Sequence, residues 1–510
     1  MISQAKQHSM ILSDILNGYI REEYLDEKFN NIVIDGLSLD SRNIKKHYLF
    51  LAIKGETVNG IEFINNAIEQ GAAAVLWDAD ADVDAIAINW RTNSSGINVP
   101  IIAVKNLIQL TGALSDRFYR SPSEKISVCG ITGTNGKTSC ADFIAQMMSI
   151  DSACGMMGTL GSGIYPELKE TGFTTPDAIT CQQWLADIVS EHANFAVMEV
   201  SSHALIQGRV NGIHFNSAVF TNLSRDHLDF HGDMDSYAEA KLKLFKTAGL
   251  KNAIINIDDE AGRNIVNELA DDIHCLRYGL NKTYNPDVYG YDVQLDEHGL
   301  SMQVITPWGE GRLTAPVIGD FNASNLLAVL SVMLLQEIDF TESLKRLTTI
   351  KSVAGRMQRF GGETRPLVIV DFAHTPDALE QVLNSLRQHT QHKLWCVFGC
   401  GGDRDKGKRP LMGAIAEDKA DYVVLTNDNP RNESAENILE DIKSGIVNLH
   451  NVTIEPDRQA AIHFAVKQAK AGDVVLIAGK GHEKYQLVGD MKYPFDDAKE
   501  VQQQLEACAG

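Results

Sequence analysis

A chain of 510 residues is too long for one hydrophobic core and predicts about three domains, because domains usually contain about 100 to 200 residues. Its hydrophobic content of 44% and charged content of 22% are typical of a folded, water-soluble protein. A net charge of −21 argues against nucleic acid as a partner, because binding a polyanion requires a basic surface.

Cysteine usage and the terminal segment indicate the compartment. The cysteines are scattered, and only Cys396 and Cys400 are close, so the spacing matches neither a disulfide framework nor a zinc site. Residues 1–6 lack a basic region followed by an apolar core, and no apolar run approaches the ~18 residues of a membrane span. We therefore expect a cytoplasmic protein with no membrane partner.

Residues 1–105 predict a small α/β domain, because short apolar runs alternate with helical stretches. Those runs are Ile32–Ile34, Tyr48–Ile53, Ala72–Trp77 and Ile101–Val104. The segments 39–42 and 55–60 are polar and rich in turn residues. Taken alone, each is typical of a surface loop.

The segment Gly130–Ser139, with the sequence GITGTNGKTS, indicates a phosphate-binding loop. It follows a predicted strand at Ile126–Cys129 and precedes a predicted helix at Ser139–Ile150. The strict Walker pattern has glycine five residues before Gly136, where this chain has Ile131, so the loop is a shorter variant.

Each residue type in this loop has a chemical reason to be there. Gly133 and Gly136 allow backbone N–H groups to turn toward an anion at the positive end of a helix. Lys137 reaches the β- and γ-phosphates, and Thr138 can bind magnesium.

The central region, 106–353, contains further polar residues after predicted strands. Glu199 ends an apolar strand, where a carboxylate can face a metal and a nucleotide, although it could also cap a helix. His227 is a possible metal ligand or a structural histidine. Lys241 lies in an amphipathic helix and by itself predicts a solvated side chain, and Asn322 is predicted to cap the helix Leu326–Leu335.

Residues 354–510 alternate strands and helices, which predicts a doubly wound, mostly parallel sheet. The predicted strands are Leu367–Val370, Leu394–Phe398, Tyr422–Leu425, Val452–Ile454 and Val474–Ile477. Polar loops follow four of them, at 371–377, 399–409, 426–431 and 478–483. Ligands of such sheets bind beyond the carboxyl ends of the strands, so the loops predict a shared site.

The order of these motifs resembles the Mur ligases over nearly the whole chain. The matching segments are Leu39–Arg42, Thr132–Thr138, Glu199–His203, Asn222–His227, Ala240–Lys241, Gly355–Arg356, Asp371–Pro376, Asp428–Arg431 and Gly479–Glu483. The resemblance implies an α/β protein of three domains. Residues 1–105 would bind the UDP moiety, 106–353 would form the ATPase, and 354–510 would be a Rossmann-like domain for the incoming amino acid.

The resemblance also implies a reaction. The chain would use ATP and Mg²⁺ to join meso-2,6-diaminopimelate to UDP-N-acetylmuramoyl-L-alanyl-D-glutamate in peptidoglycan synthesis, through an acyl phosphate. We expect a monomer. Catalytic roles are implied for Lys137, Lys241, His227 and His374, with Lys241 carbamylated.

The family's binding residues map onto five groups of positions in this chain. For the UDP-sugar they are Leu39, Ser41, Glu56, Thr57 and Val58, and for the muramoyl-peptide part Thr174, Thr175, Ser201, Gln207 and Arg209. For the nucleotide they are Thr132, Gly133, Thr134, Asn135, Gly136, Lys137, Thr138, Asn322, Arg356 and Asp371. For the metal they are Thr138, Glu199, His227 and Lys241, and for the amino acid Arg404, Asp428, Asn429, Pro430, Arg431, Gly479 and Glu483.

Three alternatives remain at this stage. A ligase that adds L-lysine would share most of these motifs, but Arg431 favours a substrate with a second carboxylate. Folylpolyglutamate synthetase shares the ATPase core but not the 39–42 turn. A non-catalytic nucleotide switch would not require the loop 428–431. Phe173 stands where related ligases carry asparagine, so position 173 is not expected to contact substrate.

Overall fold

The computed structural model describes residues 8–20, 28–55, 58–79, 88–296 and 298–507. The predicted site residues Glu56 and Thr57 lie outside the described residues.

The α-helices alternate with strands along most of the chain, as expected for an α/β protein. They are α1 Leu12–Leu16, α2 Ile64–Glu69, α3 Leu107–Phe118, α4 Lys137–Met148, α5 Ala178–Ser190, α6 Ser202–Ile206, α7 Leu228–His231, α8 Met234–Phe245, α9 Glu260–Asn267, α10 Asn322–Leu335, α11 Phe340–Leu347, α12 Pro376–Gln388, α13 Lys408–Lys419, α14 Ala435–Lys443, α15 Arg458–Gln468 and α16 Asp497–Ala507. Within the described residues, none of these helices is both long enough and apolar enough to span a bilayer.

The strands form two large sheets, one five-stranded sheet and two short ribbons. They are β1 Met10–Ile11, β2 Val33–Ile34, β3 Gly36–Ser38, β4 Tyr48–Ala52, β5 Ala72–Ala79, β6 Ile88–Thr92, β7 Asn98–Lys105, β8 Ser127–Thr132, β9 Cys154–Gly158, β10 Gly161–Ile164, β11 Glu167–Lys169, β12 Phe195–Glu199, β13 Ser217–Phe220, β14 Asn252–Asn256, β15 His274–Gly279, β16 Val288–Asp296, β17 Gly299–Thr306, β18 Gly309–Ala315, β19 Gln358–Gly361, β20 Leu367–Asp371, β21 Leu394–Phe398, β22 Tyr422–Leu425, β23 Val452–Ile454, β24 Val474–Ala478, β25 Tyr485–Val488 and β26 Met491–Pro494.

The chain divides into two compact units. The first falls within Met1–Lys137, Met148–Ile255 and Asp259–Cys275, and the second within Thr138–Met147, Asn256–Asp258 and Leu276–Gly510.

The first unit begins with a five-stranded sheet in the order β3-β4-β5-β7-β6. Its first four strands are parallel, and β6 pairs antiparallel with β7. Side chains of β4 alternate between two cores, with Leu49 and Leu51 in one and Phe50 and Ala52 in the other. Burial on both faces explains why the apolar runs predicted β4, β5 and β7. The exposed side chains of β6 left it without such a signal.

Three neighbouring parallel strands of the same unit end at one edge of the 11-stranded sheet, in the order β12-β8-β13. Glu199 of β12 pairs with Ile131 of β8, and Phe220 of β13 pairs with Thr132. The phosphate loop and the segments after 199 and 220 therefore emerge side by side, as the sequence predicted from the carboxyl-edge rule.

The second unit contains a six-stranded sheet in the order β19-β20-β24-β21-β22-β23. All neighbours are parallel except β19, which pairs antiparallel with β20. Alternating side chains enter two buried cores, which cover both faces of the sheet. The five predicted strands are confirmed, with Asp371 and Ala478 added at two ends.

Candidate active site

The phosphate loop has the backbone that its glycines predicted. Gly133 has φ +151°, and a Cβ there would lie 1.9 Å from the hydroxyl oxygen of Thr221. Gly136 has φ +84°, another conformation that favours glycine. The Lys137 ammonium donates to the carbonyls of Gly133 and Thr134, at 2.9 Å each. The loop is therefore a closed cradle with the lysine folded over it.

The segment after β13 packs against this cradle. The Asn222 carbonyl accepts from the Thr134 N–H at 2.8 Å, and the Asn222 side chain accepts from the Asn135 N–H at 2.9 Å. The Thr132 hydroxyl oxygen is buried and has no hydrogen-bond partner among the described residues. Thr138, the second residue of α4, is also buried.

Lys241 does not have the solvated side chain that the bare helix pattern predicted. It is 1% exposed, and its ammonium nitrogen lies 4.3 Å from the centre of the Tyr237 ring. Burial, followed by the nearby charge of Lys137, lowers the pKa of Lys241 to about 6. Lys241 lies on the same buried face of α8 as Tyr237, Ala240, Leu244 and Phe245. The prediction failed because a lysine is rarely buried, not because of its helical position. At neutral pH the side chain is mostly an uncharged amine.

Aromatic rings connect Lys241 to His227. Tyr237 lies 6.1 Å from the His227 ring, centre to centre, and its hydroxyl is 3.2 Å from that of Thr134. His227 has a left-handed backbone, with φ +53°, and its ring also contacts His203 at 4.9 Å. The structure thus brings Lys241, His227 and the phosphate loop into one neighbourhood.

Glu199 is completely buried at the end of β12. Its carboxylate accepts from the Thr159 N–H at 2.7 Å and from the Thr159 hydroxyl at 3.3 Å. The helix that follows, α6, is capped by Ser201 and not by Glu199. A Cβ at Gly158 would lie 2.2 Å from one carboxylate oxygen of Glu199, so the end of β9 packs closely against the Glu199 side chain. Within the described residues, no three His, Cys, Asp or Glu side chains form a group that could hold a metal.

Four of the residues predicted for the muramoyl-peptide lie around Glu199. The Thr175 hydroxyl donates to the Glu199 carbonyl at 2.8 Å and accepts from the Ser201 N–H at 3.1 Å. Arg209 donates to the Thr175 carbonyl at 2.9 Å. The hydroxyls of Thr174 and Thr159 are 3.1 Å apart. Thr159 was not predicted, since an isolated threonine carries no motif.

Gln207 caps the C-terminal end of α6, and Ser201 caps its start by accepting from the Ala204 N–H. Phe173 is 61% exposed, and the Arg209 guanidinium lies 5.8 Å from the centre of its ring.

The 39–42 segment borders a cavity of about 800 Å³ in the first unit. Leu39, Tyr119, Asp177 and Thr180 contribute to its lining. Ser41 is buried at the start of a short 3-10 helix, and Val58 is exposed. Of the described UDP-sugar positions, only Leu39 lines this cavity.

The second unit holds the other residues predicted for the nucleotide. Asp371 is buried and accepts from the N–H groups of Met357 and Ala373, at 2.8 Å each. Burial nevertheless raises the pKa of the Asp371 carboxyl. The Arg356 guanidinium stacks 5.1 Å from the Phe372 ring centre, and its Nε is buried without a partner among the described residues.

The predicted capping role of Asn322 is wrong. Phe321 occupies the N-cap position of α10, and Asn322 is the first helical residue. Its amide donates to the Ile318 carbonyl at 2.8 Å and accepts from the Asn325 side chain. His374 is exposed, and its carbonyl accepts from Lys408 at 2.7 Å.

The loops after β22 and β24 form one interconnected surface. The Asn429 amide donates to the Glu483 carboxylate at 2.9 Å. A Cβ at Gly479 would lie 2.6 Å from a carboxylate oxygen of Asp428, and Gly479 has φ +117°. The two loops approach each other too closely for a side chain at position 479.

Arg431 has a left-handed backbone, with φ +51°, next to the buried Pro430. Its guanidinium donates to the Gly402 carbonyl at 2.8 Å, and its N–H donates to the Leu487 carbonyl. Arg404 is exposed and donates to the carbonyl of Asp403. The 399–409 loop, which contains Gly402, therefore contacts the 428–431 loop through Arg431.

Lys480 was missed although it lies inside a recognised motif. Its side chain is fully buried, and its ammonium donates to Asn429 at 3.0 Å and to Glu483 at 3.1 Å. A lysine between two glycines predicted no contact, because the partner Asn429 is 51 positions away in sequence.

Comparison with known families covers most of the chain. Three family models match: "Mur ligase family, catalytic domain" at 33–119, "Mur ligase middle domain" at 131–333 and "Mur ligase, glutamate ligase domain" at 355–481.

Curated relatives and solved structures match over nearly the full length. A UDP-N-acetylmuramoyl-L-alanyl-D-glutamate–2,6-diaminopimelate ligase of Coxiella burnetii is 46% identical over 498 residues, covering 96% of this chain and all of its own. The ligase of the same name from Chromobacterium violaceum is 45% identical, covering 93% of this chain and 94% of its own. A solved structure of a ligase of that name is 35% identical, with a TM-score of 0.74, and covers 98% of this chain and 100% of its own. The chain belongs to the Mur ligase family.

Proposed function

We propose that this protein is the ATP-dependent ligase that joins meso-2,6-diaminopimelate to UDP-N-acetylmuramoyl-L-alanyl-D-glutamate. The observation that carries the proposal is full-length identity of 46% to a relative named for this activity. The folylpolyglutamate alternative is weaker, because a Mycobacterium tuberculosis folylpolyglutamate synthase covers only 73% of this chain at 19% identity. A nucleotide switch would not account for the interlocked loops at 428–431 and 479–483.

Three functional domains follow from this assignment. Residues 1–105 bind the UDP moiety, 106–353 bind ATP and the peptide carboxylate, and 354–510 bind the incoming amino acid. Leu39, Ser41 and residues 56–58 serve the UDP-sugar. Thr174, Thr175, Ser201, Gln207 and Arg209 hold the muramoyl-peptide, supported by the hydrogen bonds that join four of these residues to one another or to Thr159.

ATP is the nucleotide substrate. The cradle of residues 132–138 suits its phosphates, because the backbone at Gly133 and Gly136 turns N–H groups toward an anion and Lys137 supplies a positive charge. The buried Thr132 hydroxyl and Arg356 Nε are polar atoms that a nucleotide complex could satisfy. Asn322, Asp371 and His374 complete the proposed nucleotide set.

The chemistry is amide formation through an activated carboxylate. A carboxylate of the glutamate in the UDP-linked peptide attacks the γ-phosphate, which gives an acyl phosphate and ADP. The amine of the amino acid then attacks the acyl carbon, and phosphate leaves through a tetrahedral intermediate. The protein aligns the reactants and neutralises charge, and Lys137 faces the negative charge that develops on the phosphoryl oxygens.

Bound Mg²⁺ would neutralise phosphate charge and orient the oxygens. Thr138, Glu199, His227 and Lys241 would hold it. Among the described residues no three His, Cys, Asp or Glu side chains form a metal-binding group, so this donor set would depend on a carbamate at Lys241 for a further oxygen ligand. A pKa of about 6 leaves the Lys241 amine uncharged and nucleophilic toward CO₂, and the resulting carbamate is a hard oxygen ligand.

The amino-acid site uses Arg404, Asp428, Asn429, Pro430, Arg431, Gly479 and Glu483. Diaminopimelate differs from lysine by a second carboxylate at the far end of its side chain. The planar fork of Arg431 suits that carboxylate, and Glu483 suits an ammonium group.

The test is the release of ADP from the purified protein. We expect release only when ATP, the UDP-linked dipeptide and diaminopimelate are all present, and its loss in Lys137→Ala, which removes a phosphate contact without opening a core. Equal release with dihydrofolate and glutamate, or release without an amino acid, would contradict the proposal. Equal kcat/KM for L-lysine and diaminopimelate would leave the ligase assignment standing but reject the amino acid.

A further inference from the structure

Arg458, the first residue of α15, carries a buried charge that the proposed reaction does not use. Its guanidinium is paired with Asp497, the first residue of α16, and neither side chain is exposed. The Nε and Nη2 atoms donate to the two carboxylate oxygens at 2.7 Å each. A fully buried ion pair is weak support for stability, because removing both charges from water costs about as much as their attraction returns.

The remaining donors of this guanidinium lead to the amino-acid site. Nη1 donates to the Asn427 carbonyl at 3.2 Å, and Nη2 donates to the Ala478 carbonyl at 3.0 Å. Asn427 directly precedes the loop 428–431, and Ala478 directly precedes the loop 479–483. One planar group therefore holds the starting points of both loops.

The sheet does not join these two starting points directly. β21 lies between β22 and β24, so no backbone hydrogen bond of the sheet links the strands that carry the two loops. The loops also contact each other farther along, through Asn429 and Lys480. Arg458 supplies the fixed link at their base.

The charge of Arg458 also faces the site. Burial opposes the charged form, but Asp497, Asp428 and Glu483 more than offset this effect and raise the pKa of Arg458. The guanidinium thus balances the two carboxylates, at 428 and 483, that the proposed function assigns to the amino acid.

We propose that Arg458 is a positioning residue of the amino-acid site, which sets the separation of the loops 428–431 and 479–483 and thereby the discrimination between diaminopimelate and lysine. This inference rests on the proposed function, because it assigns those loops to amino-acid recognition. Arg458 acts through the Asn427 and Ala478 carbonyls and not by contact with the reacting atoms.

The informative variant is Arg458→Met combined with Asp497→Leu. Replacing both charges by apolar side chains removes the carbonyl donors without leaving an unpaired buried charge. We expect KM for diaminopimelate to rise at least tenfold and the preference over lysine to fall at least tenfold. KM for ATP and for the UDP-linked dipeptide should stay within twofold of the unmodified enzyme. Arg458→Lys, which keeps the charge with fewer directed donors, should give an intermediate shift and serves if the double variant does not fold.

Arg387, in α12, offers a comparison at the opposite edge of the same sheet. It pairs with an aspartate, Asp421, through one hydrogen bond, and it donates to the carbonyls of His392 and Lys419, which precede β21 and β22. Unlike Arg458, it is partly exposed. Arg387→Met should lower the melting temperature and leave all three KM values unchanged.

The outcomes separate the two proposals. A folded double variant with unchanged KM for diaminopimelate and unchanged selectivity would overturn the positioning role. So would a parallel change of all three KM values with the melting temperature, as expected of a purely structural pair. Failure of the unmodified enzyme to use diaminopimelate would reject the proposed function itself, independently of any Arg458 variant.

Discussion

Two lysines of this protein are equally buried but have opposite surroundings. Lys241, in the central region, is 1% exposed, and Lys480, in the C-terminal region, is 0% exposed. The Lys480 ammonium donates to the Glu483 carboxylate at 3.1 Å. Lys241 faces the Tyr237 ring at 4.3 Å and has no ion pair among the described residues. Burial alone therefore does not assign a role to a lysine.

The partner decides what each buried amine can do. Burial and the nearby charge of Lys137 outweigh the opposing effect of Asp226 and lower the pKa of Lys241 to about 6, so it is mostly a neutral nucleophile that can add CO₂. Lys480 instead bridges Asn429 and Glu483, so it orients side chains assigned to the amino acid. We expect changes in the central region to reduce turnover, and changes in the C-terminal region to alter amino-acid affinity and selectivity.

The largest effect should come from Lys241→Ala. Losing the carbamate would remove a magnesium ligand, and we expect kcat to fall by about a thousandfold or more. Formate or acetate should restore part of the activity by occupying the space of the missing carbamate. Lys243→Ala, on the exposed face of the same helix, should be nearly neutral. Full activity of Lys241→Ala without added acid would show that Lys241 has no catalytic role, contrary to the role proposed for it.

The next largest effect should be on selectivity in Arg431→Ala. The unmodified enzyme should prefer diaminopimelate over lysine by at least about a hundredfold, because lysine leaves the guanidinium without its carboxylate. The variant should lose most of this preference, and Arg431→Lys should retain only part of it, since a lysine lacks the planar fork. The measurement is kcat/KM for both amino acids. An unchanged ratio in Arg431→Ala would show that the second carboxylate is recognised elsewhere.

Lys480→Met tests the paired lysine. It leaves the Glu483 carboxylate without its buried cation, so we expect a loss of about 3 kcal/mol in unfolding free energy and a roughly tenfold higher KM for diaminopimelate. KM for ATP should not change. Lys484→Met, at a neighbouring exposed position, is the control. If kcat fell in Lys480→Met while KM for diaminopimelate stayed constant, the assignment of this region to affinity would be wrong.

The smallest effect concerns pH and the unpaired lysine. The pKa of Lys241 in the folded protein, about 6, is lower than its pKa in the unfolded chain. At pH values between these two pKa values, Lys241 is protonated in the unfolded chain but not in the folded protein. Stability should therefore rise with pH from about 6 upward, by at most about 1.4 kcal/mol per pH unit. Denaturant unfolding in CO₂-free, metal-free buffer at pH 6.5 and 8.5 measures this contribution. Lys241→Met should show a correspondingly flatter profile, and identical profiles would contradict the lowered pKa.

The local sequence predicted those strands that appear as uninterrupted runs of apolar residues. The strands β20, β21, β22 and β24 of the six-stranded sheet were recognised because each is an apolar run buried on both faces. The strand β6 was not, because most of its side chains are exposed. The cap at Asn322 was assigned to the wrong residue, since helix ends shift by one position without a change of pattern.

The phosphate loop was determined by the sequence alone. Gly133 and Gly136 have backbone angles that other residues rarely adopt. Lys137 donates to carbonyls only three and four residues away, so the contacts that define the motif lie within a few consecutive residues. The motif can therefore be recognised from the sequence without knowledge of distant residues.

Only the tertiary structure decided the roles of Lys241, Lys480 and Arg458. Their burial and partners come from elements far apart in the chain, as with Lys480 and Asn429, separated by 51 positions, or Arg458 and Asp497, separated by 39. The pKa of an amine depends on desolvation and on nearby charges, and neither quantity is a property of the local sequence. A lysine in an amphipathic helix by itself predicted a solvated side chain at position 241, whereas the folded protein buries it beside Tyr237 and leaves it mostly uncharged at neutral pH.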